Sequence, residues 1–376
     1  SAGGVVSNEQ IRLADPALGD AELAAIDGVL RSGYLTQGPV VAAFERRVAD
    51  AVGADFAVAT SSCTTALHLA LHALGVGPGD DVVVPAFTFP ATANAVKQAG
   101  AEPRFADVDP ATFASSADHL KAATTVDTKA IMPVDPFGYP APMNDIVALA
   151  DEMGLFVIED AACALGARRD GKACGSYRDV GCFSFHPRKV ITTGEGGMIT
   201  TNDEALAHRL RQLSRHGAEV ADRWPTFTAA GFNYRLSDIH GAIGLAQMDK
   251  LDQILASRRR RAGQLNAMVH GIDGVRTPVT EPGVEETFQS YVVFLDESLD
   301  RNRVVDDLRA AGVEATLGTY GVHLEPFYAR PELADALPGA SAAARQTLTL
   351  PMHTRLRSAD LERIAATLEQ AVKEQS

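Results

Sequence analysis

With 376 residues, 46% of them apolar and 22% charged, the chain has the composition of a globular protein large enough for two domains. Its 48 Asp and Glu against 34 Lys and Arg give a formal charge of −14, which opposes binding to nucleic acid or to an anionic membrane surface. No apolar run reaches the ~18 residues of a membrane span, and no basic segment followed by an apolar core stands at the start. The four cysteines, Cys63, Cys163, Cys174 and Cys182, form no C-x-x-C pair and have no histidine at zinc spacing. No metal site or disulfide framework is indicated, and a cytoplasmic protein with reduced thiols is expected.

Residues 21–30 and 39–52 read as amphipathic helices joined by the loop "SGYLTQG". The run "FAVAT" (56–60) is a buried strand, and "TTALHLALHAL" (64–74) is a helix with an apolar face. Strands follow at 81–87, 103–106, 129–135, 155–160, 180–185 and 197–201, with helices expected at 90–98, 115–123 and 142–153. This alternation predicts an α/β fold, a sheet with helices on both faces. Beyond residue 251 the rhythm changes. A charged helix over 249–269 leads to a strand at 289–296, a helix at 301–311, the irregular stretch "TLGTYGVHLEPFYARP" (316–331) and a closing helix at 358–374. The expected organisation is a large domain over 1–250, whose first segment packs on the small domain, and a smaller α+β domain over 251–376. The basic run Arg258–Arg261 reads as a solvated helix face.

Chemistry concentrates at strand ends. Lys189 follows the strand "GCFSF" and precedes "TTGEGG". It therefore stands at the rim where open α/β sheets bind ligands, and a desolvated amine there is suited to forming a Schiff base. Asp160 closes the strand "LFVIED", where it is either a helix-start cap or a partner for a cationic ligand atom. Together, a lysine and a strand-end carboxylate match pyridoxal phosphate, whose ring nitrogen a carboxylate keeps protonated. The segment "ATSSCTTALHLAL" opens a helix whose free N–H groups favour an anion, and Ser184 stands where its hydroxyl adds to the same phosphate site. Phe87 and Phe89 alternate in direction, so that one fills the core and the other is available to a ligand ring.

Taken in order, "SGYLTQGPVVAAFE", "TSSCTTALHLAL", "GPGDDVVVPAFTFPATANAV", "VIEDAACALGA", "GCFSFHPRKVITTGEGGMITTND" and "GFNYRLSDIHGAIGLAQ" resemble the sugar-nucleotide aminotransferases of the DegT type. These are pyridoxal 5′-phosphate enzymes of fold type I, the aspartate-aminotransferase fold. The resemblance implies a mostly parallel seven-stranded sheet and a homodimer with shared active sites. It implies that Lys189 binds the cofactor and carries the proton, with a depressed pKa suited to that task, and that Asp160 faces the ring nitrogen. It makes Phe89 the stacking aromatic, Ser62, Cys63, Thr64 and Ser184 phosphate ligands, and Asn233 a phosphate ligand of the neighbouring subunit. His186, Tyr320 and His323 are implied to face substrate, with ordinary packing the alternative for both histidines. Cys163 stands where family members commonly carry glutamine or histidine.

The expected reaction transfers an amino group from L-glutamate to a keto group of a nucleotide-linked deoxyhexose, at C4 ahead of C3. Amination of a cyclitol or other cyclic ketone, and a non-catalytic regulator on the same fold, are the alternatives. Sugar dehydratases of the family carry histidine in place of the lysine, so Lys189 argues for aminotransfer.

Overall fold

The computed structural model describes residues 10–219 and 223–375. Seven strands build the large sheet: β1 (Phe56–Thr60), β2 (Asp81–Pro85), β3 (Glu102–Ala106), β4 (Thr128–Ile131), β5 (Phe156–Asp160), β6 (Val180–Ser184) and β7 (Gly197–Thr201). Their spatial order is β1-β7-β6-β5-β4-β2-β3. Only β7 runs against its neighbours; the remaining adjacent pairs are parallel. Strands of such a sheet are covered on both faces, which is why β2 and β7 are buried along their whole length.

Alternation within each strand divides the side chains between two layers of helices. Val82 and Val84 pack with Leu67, Leu71 and Val96 on one face, while Val83 packs with Leu120, Ile146 and Leu149 on the other. The carboxyl ends of the parallel strands thus converge on one rim. There Gly197, at the start of β7, lies beside both Thr60 and Ser184.

After helix Leu251–Val269 a second sheet forms from β8 (Val275–Arg276), β9 (Tyr291–Leu295), β10 (Thr316–Leu317) and β11 (Thr347–Leu350), in the antiparallel order β8-β9-β11-β10. It has its own core of Leu265, Tyr291, Val293, Leu308, Leu350 and Leu368. Ile11 joins this core and bridges to Val313, and the Leu13 N–H donates to Glu314 Oε2 at 2.7 Å. Tyr320–Gly321 pairs with Phe87–Thr88, tying the second half of the chain to the rim of the large sheet.

Several expectations are corrected. The strand expected over 81–87 ends at Pro85, and Phe87–Thr88 pairs elsewhere. The strand expected over 129–135 ends at Ile131, two residues before Pro133, which has no N–H to continue a ladder. Helices Glu204–Ser214, Pro331–Ala336 and Pro338–Gln346 and strand β11 occupy stretches for which no element is expected. The run Arg258–Arg261 is not a solvated face. Arg258 is buried and its Nη1 donates to the carbonyls of Phe288, Gln289 and Met352, at 2.9, 3.2 and 3.0 Å. Arg259 and Arg261 donate to the carbonyls of Glu286 and Leu356. Helix Leu251–Val269 is thereby anchored to the segments around it. Among the described residues no helix is long and apolar enough to cross a membrane.

Candidate active site

Lys189 reaches its position through a stapled turn. After β6, Phe185 N–H donates to Gly196 O at 2.9 Å, and the Phe185 carbonyl accepts from Thr192 Oγ1 and Thr193 N at 2.7 and 3.0 Å. Within the loop so closed, Lys189 N–H donates to His186 O at 2.8 Å. The lysine side chain enters a cavity of about 420 Å³ at the rim of the sheet, where Nζ donates to Cys163 Sγ at 3.1 Å. Burial lowers its pKa, but the bond to Cys163 Sγ and the nearby Asp160 carboxylate outweigh that and hold the ammonium above its ordinary range. The depressed pKa expected of this lysine is therefore not a property of the protein pocket by itself.

Asp160 ends β5 on the floor of the same cavity and is 5% exposed. Its Oδ2 accepts from Thr92 Oγ1 at 2.7 Å, and Thr92 is in turn paired with Thr88 Oγ1 at 2.9 Å. Its Oδ1 accepts from Ala162 N–H at 3.3 Å. Burial raises the carboxyl, while Thr92, Lys189 and Ala162 oppose the shift. A cation brought to this carboxylate offsets the cost of its burial, so a protonated ring nitrogen fits here.

The third wall is the start of helix Cys63–Ala73. Ser62 caps it reciprocally with Thr65: Thr65 N–H donates to Ser62 Oγ at 3.1 Å and Ser62 N–H to Thr65 Oγ1 at 3.0 Å. The Ser62 hydroxyl therefore serves the helix. Among the described residues, the N–H groups of Cys63 and Thr64 donate to no protein acceptor, and both residues line the cavity with Ser184. Open helix-start N–H groups beside a hydroxyl suit a phosphate. Burial, followed by the charge of Asp160, raises the Cys63 thiol far above its ordinary range, so its backbone N–H and not a thiolate is what it offers.

At the mouth, Phe89 is 62% exposed and lines the cavity, while Phe87 is buried in the core. The Tyr320 ring meets Phe89 edge-on at 6.1 Å, brought there by the short pairing of Tyr320–Gly321 with Phe87–Thr88. His186 also lines the cavity. His323 does not: it is 1% exposed, with Nε2 paired to Ser341 Oγ at 2.9 Å, so packing accounts for it. Asn233 lies outside this cavity, exposed, with Oδ1 accepting from Arg235 Nε at 3.0 Å. Sequence reasoning missed Thr92, Asp135, Arg188, Glu195 and Gln289 as cavity residues. Of these only Arg188 had a local signal, its place next to Lys189.

The family model described as the DegT/DnrJ/EryC1/StrS aminotransferase family matches residues 16–369. GDP-perosamine synthase of Caulobacter vibrioides is 44% identical over 341 residues, covering 89% of this chain and 91% of its own. The dTDP-4-dehydro-2,3,6-trideoxy-D-glucose 4-aminotransferase of Saccharopolyspora spinosa is 35% identical, over 96% of this chain and 97% of its own. Among solved structures, the PLP-form of Spr1654 from Streptococcus pneumoniae superposes with a TM-score of 0.91 at 27% identity, covering 98% of this chain and 100% of its own.

Proposed function

The chain belongs to the DegT/DnrJ/EryC1/StrS aminotransferase family, and from that premise we propose that it moves the amino group of L-glutamate to C4 of a nucleotide-linked keto-deoxyhexose. The observation that carries the reading is one cavity that holds Lys189 Nζ, the buried Asp160 carboxylate and the open N–H groups of Cys63 and Thr64. Two relatives are named for nucleotide-linked sugars, one GDP-linked and one dTDP-linked, and the second name places the amine at position 4. These names support the acceptor class.

Pyridoxal 5′-phosphate, the cofactor of this family, supplies an electron-withdrawing ring when bound. Cys63 and Thr64 N–H, with the Ser184 hydroxyl, hold its phosphate. Asp160 would keep a proton on its ring nitrogen, and Thr92 Oγ1 fixes that carboxylate by its 2.7 Å bond to Oδ2. Phe89, met edge-on by Tyr320, would offer an aromatic face to the ring. Lys189 Nζ would take the proton from the donor's α-carbon and, in the return direction, would deliver a proton to the sugar carbon that bears the new amino group. Asn233, outside its own cavity, serves the phosphate of a second copy, which makes the working enzyme a homodimer.

The test adds L-glutamate to the purified holoenzyme and follows the visible band of the bound cofactor, which should bleach. A GDP-linked, dTDP-linked or UDP-linked 4-keto-6-deoxyhexose should then restore the band and appear as the amine by mass spectrometry. Bleaching by glutamate with no amine from any of the three, or amination only of a cyclic ketone without a nucleotide, overturns the acceptor assignment.

A further inference from the structure

The turn that presents Lys189 presents a second cation. His186, Arg188 and Lys189 all line the cavity, while Pro187 lines a narrow crevice beside Ala14 and Ala17 that Lys189 also borders. Two bonds set the backbone of this turn besides that of Lys189. Arg188 N–H donates to His186 Nδ1 at 3.2 Å, and Gln289 Nε2, from the segment preceding β9, donates to Arg188 O at 2.7 Å. Gln289 is itself buried, and its carbonyl is held by the buried Arg258, so the clamp on Arg188 is anchored in the core.

The Arg188 guanidinium, by contrast, makes no hydrogen bond or ion pair with any described residue, although Glu195 lines the same cavity. Arg258, Arg259 and Arg261 all have their guanidinium groups on backbone carbonyls. Arg188 is thus fixed through its backbone and free at its charge. The bond from Arg188 N–H also fixes the tautomer of His186. With Nδ1 accepting, the neutral ring carries its proton on Nε2 and is a donor there. Burial holds the ring below the ordinary histidine range, with Glu195 opposing and Lys189 and Arg188 adding to the effect, so the neutral form prevails at pH 7.

Resting on the acceptor class proposed above, we infer that Arg188, assisted by His186 Nε2–H, is the recognition site for the diphosphate of the nucleotide-linked acceptor. A planar guanidinium binds adjacent phosphoryl oxygens through two parallel bonds, and it keeps its charge when Lys189 is engaged with the cofactor. Depth distinguishes the diphosphate from the carboxylates of the amino donor. Asp160 lies buried on the floor and Lys189 is half-buried, but Arg188 and His186 are exposed at the mouth. When the reacting sugar carbon is at Lys189, the sugar's phosphate-bearing end is the part left at the mouth. A five-carbon amino acid with its α-carbon at Lys189 is held further in. The acidic balance of the cavity, with Asp135, Asp160 and Glu195 against Arg188 and Lys189, makes one unpaired guanidinium the point at which a dianion is favoured.

The experiment uses the holoenzyme and its Arg188→Ala and Arg188→Lys variants, with GDP and dTDP as probes in calorimetry. Arg188→Ala should weaken nucleoside diphosphate binding about 10- to 100-fold, as loss of a charge-assisted bidentate contact predicts, and Arg188→Lys should recover part of it. The acceptor KM should rise with kcat little changed. Bleaching of the cofactor band by L-glutamate should keep its wild-type rate and concentration dependence, which also shows that the variant is folded. Equal diphosphate binding by wild type and Arg188→Ala overturns the assignment, as does a defect confined to the glutamate step, which would place a donor carboxylate on Arg188. A wild-type protein that binds neither diphosphate and aminates no nucleotide sugar instead overturns the acceptor class.

Discussion

Behind Asp160 lies a second acid pair whose protonation is open to measurement. Asp135 and Glu159 are both buried, and their ligand atoms and the Cys174 sulfur lie within 4.8 Å of one another. One oxygen of each is satisfied: Asp135 Oδ1 accepts from Ala141 N–H and Glu159 Oε2 from Gly175 N–H, both at 2.8 Å. The other two, Asp135 Oδ2 and Glu159 Oε1, are buried with no donor among the described residues. A proton held between the carboxyls satisfies both. Burial raises Asp135 to about 6, and burial with the charge of Asp135 raises Glu159 well above its ordinary value. Groups raised on folding contribute stability that is complete below the unfolded pKa and lost as pH rises towards the folded one. A proton kept by the folded state alone makes that loss about 1.4 kcal/mol per pH unit, or about 2.7 kcal/mol between roughly pH 5 and pH 7. In Glu159→Gln the amide oxygen keeps the bond from Gly175, and the NH₂ donates to Asp135 Oδ2 without a titrating proton. Denaturant unfolding of both proteins across this range should show the variant gaining on wild type by that amount, the remaining titrations cancelling in the difference. A difference that stays constant with pH would refute the shared proton.

Asp160→Asn should retain the fold, because the amide oxygen still accepts from Thr92 Oγ1 and a costly buried carboxylate is removed; its melting temperature should not fall. The rate of cofactor bleaching by L-glutamate should drop by about 10- to 100-fold or more, the equivalent of a charge-assisted bond of roughly 1.5–3 kcal/mol, and near-normal turnover would make Asp160 a cap. Gly197→Ala places a Cβ 2.4 Å from the carbonyl carbon and oxygen of Ser62, backbone that moves only with the helix start. It should cost about 1–3 kcal/mol and weaken cofactor binding in fluorescence titration; unchanged affinity would separate this helix start from the phosphate. Lys189→Ala and Asn233→Ala chains, each defective as a homodimer, should regain activity when refolded together, since one site of each heterodimer then carries neither lesion. Confirmed heterodimers without recovery would assign Asn233 to its own subunit.

What could be read from the sequence, and what could not, follows the range of the interactions involved. The strands at 56–60 and 197–201 are legible residue for residue because both are short runs of small, apolar and β-branched side chains bounded by turns. Helix Pro338–Gln346 is not, because its "SAAAR" carries no apolar period, only propensity. Lys189 and Asp160 were legible because a strand end is a local feature and a sheet rim is where such ends meet. The partners that determine their chemistry are not local. Thr92 bonds Asp160 across 68 positions, and Gln289 clamps Arg188 across 101. Arg258 shows the same limit from the other side. Four arginines in a row suggest solvent, yet carbonyls 30, 31 and 94 positions away draw the first of them inside. Its burial costs enough to lower its pKa to about 10, and the three carbonyls offset that cost. The same arginine fixes the carbonyl of Gln289, whose side chain holds the turn of Lys189. The basic run is therefore part of what positions the site, a role that depends on contacts between residues remote in sequence.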